Sequence, residues 1–142
     1  LSGESQAATY AAAWEEAARA FEGTGIGLWV LRQVPEIPDY DSRVIARDLA
    51  HGRIGPVEAA AATAAPPEAL AARVMEAEAP LYALAAEGRL RLIDPWPLLC
   101  PDRCSALIDG RPVYVDNNRL TNAGAIAIRR LFFPALTGRP SG

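Results

Sequence analysis

Lysine is absent from this chain: all 14 basic residues are arginine, set against 17 acids for a formal net charge of -3. An acidic balance without a local basic cluster lacks the electrostatic footprint of a nucleic-acid binder, so nucleic acid is set aside as a partner. The all-arginine usage, with alanine at roughly a fifth of positions, reads as base-composition bias and carries no chemistry. Histidine occurs once, at His51, and cysteine twice, at Cys100 and Cys104. A zinc site needs about four ligands, more than two cysteines and one distant histidine supply. The spacing CPDRC is not the C-x-x-C of thioredoxin-like redox sites. No metal and no cofactor are expected. Long apolar runs are also missing; none approaches the ~18 to 20 residues that span a bilayer. The opening LSGESQAATY has neither the charged nor the apolar region of a signal peptide. It reads as the middle of a domain, so any targeting element is expected upstream.

What is present alternates between helix and strand. Residues 7–21, AATYAAAWEEAARAF, are rich in strong helix formers, with Tyr10, Trp14, Ala17 and Phe21 at helical spacing and an end near Gly23. The nearly continuous apolar run IGLWVLRQV, residues 26–34, closed by Pro35, suits a buried parallel strand and is taken as the central one. After the loop PEIPDYD comes a short helix, SRVIARDLAHG, with Val44, Ile45 and Leu49 on one face and Gly52 as its stop. The stretch that follows looks like low complexity until Pro66 and Pro67 divide it. A long helix then covers residues 67–87, with Leu70, Val74, Leu81 and Leu84 as its buried stripe and a kink expected at Pro80. RLRLID, residues 89–94, reads as a second short strand. SALIDG and RPVYVD form a hairpin-like pair turning at Asp109 and Gly110, and a last helix covers residues 121–133. The length fits one domain with one core, of the α/β class, with a right-handed crossover between the two main strands.

The chemistry concentrates in PVYVDNNRLTNAGAIAIRRL, residues 112–131. Asp116 and Arg119 stand three residues apart before a helix start marked LTNAGA. Both can project from one turn toward the carboxyl ends of the strands, where open α/β sheets gather ligands. The same spacing fits an aspartate that caps a turn and an arginine paired with it on the surface. His51, in LAHGRIG, sits at a helix end, where a histidine complements the helix dipole. Trp14 and Trp29 fall on a helix face and a buried strand and belong to the core. Trp96, between two prolines, is less core-like and is a candidate for lining a carbohydrate cleft.

Residues 93–125, IDPWPLLCPDRCSALIDGRPVYVDNNRLTNAGA, resemble the closing block of the SGNH domains fused behind membrane-bound acyltransferases of the acyltransferase-three type. Those blocks run D-P, L-C, a second Cys a few residues on, then G-x-x-x-Y-x-D-x-x-H-L-[ST]-x-x-G-A. Upstream, WVLRQVPEIPDY is similar to the family's strand ending in V-P-E, and SRVIARDLAHGR to its Arg-rich helix. The resemblance implies a three-layer, flavodoxin-like SGNH/GDSL hydrolase fold with a parallel sheet, here without its N-terminal half. It implies transfer or cleavage of O-acyl groups, commonly acetyl groups on bacterial cell-surface polysaccharide, by a Ser nucleophile, a His base and an Asp that orients the His. Asp116 takes the place of the orienting acid, and Arg119 stands at the histidine position. A guanidinium keeps its proton at any working pH, so Arg119 cannot serve as the base, though it can hold Asp116 or an anion. The family's G-D-S nucleophile segment, with its Gly and Asn oxyanion donors, has no counterpart. Ser5 in SGES is rejected as a substitute, because a delivered nucleophile needs a buried strand before its turn and only Leu1 precedes Ser2. Cys100 and Cys104 read best as a local disulfide that pins the turn before the ribbon and implies an oxidising compartment, with two isolated thiols as the other reading.

Two classes of function follow. One is the C-terminal part of an extracytoplasmic SGNH O-acyltransferase or esterase domain, inactive alone and membrane-tethered through a missing N-terminal region. Its expected partners are an acyl donor, a surface glycan, the N-terminal SGNH half and a transmembrane acyltransferase domain. The other is a non-catalytic SGNH-like module that binds a glycan or an adjoining membrane domain. A G-D-S block and transmembrane helices upstream would favour the first, and a true start near Leu1 the second.

Overall fold

The computed structural model of the chain describes residues 3–138. Its elements follow in the order α1 (Gly3–Phe21), β1 (Trp29–Leu31), α2 (Ser42–Ala50), α3 (Pro56–Ala62), α4 (Pro67–Ala86), β2 (Arg91–Ile93), α5 (Trp96–Leu99), β3 (Leu107–Ile108), β4 (Arg111–Pro112), α6 (Asn122–Ile128) and α7 (Phe133–Thr137). A 3-10 turn over Arg129–Phe132 joins the last two. The class is mixed helix and strand. β1 and β2 pair in parallel, Trp29 with Arg91, Val30 with Leu92 and Leu31 with Ile93. The long helical connection between them is what parallel pairing requires, since a tight turn can only reverse the chain. β3 and β4 form an antiparallel ribbon. Asp109 and Gly110 turn it with φ of 50° and 71°, the left-handed pair that a two-residue hairpin of the primed type needs.

The strand expected over residues 26–34 is much shorter, and among the described residues it is not central. A strand extends only as far as its partner, and among the described residues β1 pairs with β2. Ile26 before it and Leu31 at its end are exposed, while Val34 and Ile37 beyond it turn into the interior. Among the described residues the buried side chains gather in two clusters. Ala18, Val30, Leu81, Leu84 and Leu90 join α1, the parallel pair and the second half of α4. The larger cluster, with Ile37, Leu70, Leu99, Tyr114 and Ile128, gathers the first half of α4, α5, the ribbon and α6. α4 continues through Pro80 and contributes to both clusters, so it ties them together.

Two helical details depart from the sequence reading. α3 lies inside the supposed low-complexity stretch and starts with Pro56 behind Gly55, where a missing N–H costs nothing. The last helix is broken because Pro134 has no N–H for the Arg130 carbonyl. Phe133 takes that carbonyl in a 3-10 bond instead.

Candidate functional site

The turn that carries Asp116 is built by its own neighbours. Val113 donates its N–H to Ala106 O at 2.8 Å, which extends the ribbon. Thr121 N–H returns to the Val113 carbonyl at 3.0 Å, and Val115 N–H reaches the Arg119 carbonyl at 2.7 Å. Residues 113–121 therefore fold back on themselves. The Asp116 carboxylate fills the turn: Oδ1 accepts from the N–H groups of Arg119 at 3.0 Å and Asn118 at 3.3 Å, and Oδ2 accepts from Arg119 Nε at 2.7 Å. Aspartate favours such turns because its short side chain bonds backbone N–H groups just ahead of it. One carboxylate thus both caps the turn and holds the residue at position 119.

The segment LTNAGA sets the far side of the turn. Thr121 caps α6, accepting from Gly124 N–H at 3.1 Å and donating to Pro112 O at 3.0 Å. Gly124 is buried, and a Cβ there would collide with the Val113 carbonyl oxygen. Only glycine lets α6 begin this close to the chain leaving β4. Tyr114 is fully buried and its hydroxyl has no partner among the described residues; burial pushes its pKa up.

The turn docks on the chain that leaves the carboxyl end of β1. Ile37 N–H donates to Asn117 O at 2.7 Å, Ser42 N–H to Val115 O at 3.3 Å, and Asp41 lies opposite Asp116 in an antiparallel bridge. Asn117 Nδ2 donates to Glu36 Oε1 at 2.8 Å, and Glu36 also faces Arg73 of α4 at 3.8 Å. A cleft of about 340 Å³ opens beside Asp41, lined among others by Asp39, Tyr40, Val44 and Thr63. Directly opposed residues of an antiparallel bridge project to one face. Two carboxylates thus stand side by side, each neutralised by an arginine. The bonds from Arg119 hold the Asp116 carboxyl below its usual value, and those from Arg43 do the same for Asp41. Arg119 itself is 74% exposed in its side chain.

Two further features position this region. Cys100 and Cys104 form a disulfide, and both are buried. Cys104 exchanges backbone bonds with Ala65 at 2.8 and 2.9 Å, two residues before the Ala106 carbonyl that receives Val113. The bridge therefore anchors the strand from which the Asp116 turn grows. At the carboxyl ends of β1 and β2, Arg32 donates through Nε to Glu78 Oε2 at 2.8 Å and lies 3.4 Å from Asp94. Its guanidinium stacks on Trp96 at 4.4 Å and on Tyr82 at 5.5 Å.

The other residues singled out by sequence fall apart from this site. Trp96 is in the core, 7% exposed, with its indole N–H bonded to Gln33 O at 2.8 Å and Arg32 over its ring. That corrects the less core-like placement drawn from its two flanking prolines; a sugar reaching this ring would have to displace Arg32. Trp14 packs against the smaller cluster, and Trp29 carries Arg91 over its ring at 5.1 Å. His51 is the exposed C-cap of α2, about 14 Å of helix away from Asp41. Ser5 falls on α1, and Leu1 and Ser2 lie outside the described residues.

Sequence reading missed Glu36, Asn117 and the Arg32–Glu78 pair. Glu36 stood in the quoted V-P-E, and Asn117 next to Asp116. Glu78 follows Val74 by four residues, so a charge on the buried stripe was its signal.

The family model of the SGNH domain fused to AT3 domains matches residues 1–134. The chain belongs to this SGNH family. It is an SGNH module of the kind that accompanies a transmembrane acyltransferase domain. No helix among its described residues is itself long and apolar enough to cross a membrane. Comparison with curated proteins and with solved structures gives no match.

Proposed function

We propose that this SGNH module is the acid-bearing C-terminal part of an extracytoplasmic O-acyltransferase domain with a three-layer parallel-sheet fold, serving O-acetylation of cell-surface polysaccharide. In this reading Asp116 is the orienting acid and Arg119 replaces the base. The observation that carries it is the 2.7 Å bond from Arg119 Nε to Asp116 Oδ2, on a turn docked against the chain leaving β1. An orienting acid has to present one oxygen to the residue that moves the proton, and Asp116 presents Oδ2 to position 119. With histidine at 119, that oxygen would hold the imidazole N–H and leave the second ring nitrogen to take a proton from the serine. With arginine the carboxylate is saturated by a cation that cannot lose its proton, and the relay stops. The disulfide supports an oxidising, extracytoplasmic setting.

The reading is tested on the chain as it stands. Incubated with a simple acetyl ester, it should give no turnover above the uncatalysed rate. Turnover that disappears on Ser5→Ala would overturn the assignment and make SGES the nucleophile segment.

A further inference from the structure

We propose that the outward side of the C-terminal helical segment, residues 126–136, is a docking surface for an anionic lipid bilayer. The proposal rests on charge and exposure, and holds whether or not Asp116 serves acyl transfer. Up to Asp116 the chain carries ten arginines against all seventeen of its acids; after Asp116 it carries four arginines and no acid. Arg119 is paired with Asp116, so the positive charge of residues 126–136 is that of Arg129 and Arg130, with no acid among them. Two arginines are too few to track a nucleic-acid backbone, but they suit a diffuse negative surface.

The segment has two sides. Ile128, Leu131 and Phe132, at i, i+3 and i+4, pack into the larger core cluster. Ile126, Arg129, Arg130, Phe133 and Leu136, at i, i+3, i+4, i+7 and i+10, are all exposed. The exposed apolar residues are large and outward: Ile126 is 49% accessible, Phe133 58% and Leu136 78%. Scattered exposed hydrophobics are normal on a soluble protein. Here the three flank two arginines within eleven residues. Elsewhere, Val57 and Met75 are each followed directly by an acid, Glu58 and Glu76, and the exposed Ile26 stands between two glycines with no arginine beside it. Apolar side chains that enter the acyl boundary, flanked by arginines that reach phosphate headgroups, are the composition of a helix lying in a membrane interface. Fusion to a transmembrane domain keeps such a surface near a bilayer, so even modest intrinsic affinity is sufficient.

The test is co-sedimentation of the 142-residue chain with vesicles of phosphatidylcholine containing about 30 mol % phosphatidylglycerol, and with phosphatidylcholine alone. The chain should pellet with the anionic vesicles only, and release at about 0.5 M salt, where screening is short-ranged. Arg129→Ala with Arg130→Ala should lower the partition coefficient roughly 30-fold, about fivefold per arginine near an anionic surface. Phe133→Gln with Leu136→Gln should abolish binding, and Val57→Gln should leave it unchanged. These side chains are solvent-exposed, so each variant should keep the parent's circular dichroism. Equal partitioning of the double-arginine variant, or no binding of the folded parent chain to anionic vesicles, would overturn the proposal.

Discussion

Replacing Gly124 by alanine should destabilise the chain, against the ordinary helix preference. Alanine gains about 1 kcal/mol over glycine inside a helix from propensity alone. At this position its Cβ would overlap the carbonyl oxygen of Val113 and sit 3.1 Å from both the Val113 carbonyl carbon and Leu120 Cδ2. The first obstacle is backbone and cannot rotate away. The Val113 carbonyl is held by Thr121 N–H at 3.0 Å, so moving it opens the turn that carries Asp116. Overpacking costs about 1 to 3 kcal/mol and more where backbone must shift. The expected net loss is ~1 to 3 kcal/mol, or roughly 3 to 10 °C in melting temperature for a chain of this size. Urea unfolding followed by circular dichroism gives the stability difference. The carboxyl carbon shift of Asp116 by NMR shows whether the turn moves with it. A Gly124→Ala chain as stable as the parent, or more so, would refute the close approach of α6 to residue 113.

Glu78→Ala should be among the costliest single changes, about 3 to 5 kcal/mol, because it leaves Arg32, 11% exposed, without its main partner. Combining it with Arg32→Met should recover most of that loss in urea unfolding; recovery of nothing would mean that the pair is not coupled. The Asp116 carboxyl, held low chiefly by Arg119, should titrate below its usual 3.8 by NMR. A lowered folded-state pKa means that the pair's contribution is complete above the unfolded value and is lost as pH falls through the folded one. Arg119→Ala should bring the midpoint back up, and an unchanged midpoint would show that the ion pair is not formed in solution.

The elements written locally were the easiest to read from sequence. Pro67 opens α4, Gly52 stops α2, and Asp109 with Gly110 turns the ribbon, each through its own backbone preference. Strand length was not local: residues 26–34 are apolar except for Arg32 and Gln33, but β2 pairs with only three of them. Trp96 was misjudged because its neighbours in sequence are prolines, whereas its burial comes from Arg32 and Gln33, reached only by folding. At the candidate site, Asp116 and Arg119 could be read because they lie on one turn. Glu36 meets Asn117 across eighty-one residues of chain, a contact no spacing rule reaches. The disulfide lay between these cases, since four residues separate its cysteines but two thiols remained possible until their placement was known.

The central claim is that residue 119 occupies the place of a base. It is tested most directly by joining a G-D-S segment to this chain and comparing acetyl-ester turnover with arginine and with histidine at position 119. Arg119→Ala in the same background controls for simple removal of the cation. Arg119→His should raise turnover by about 10² to 10⁴, the range for one positioned general base, and Arg119→Ala should not. Unchanged turnover for Arg119→His, with the fold intact and the serine present, would mean that Asp116 and Arg119 are only a surface turn.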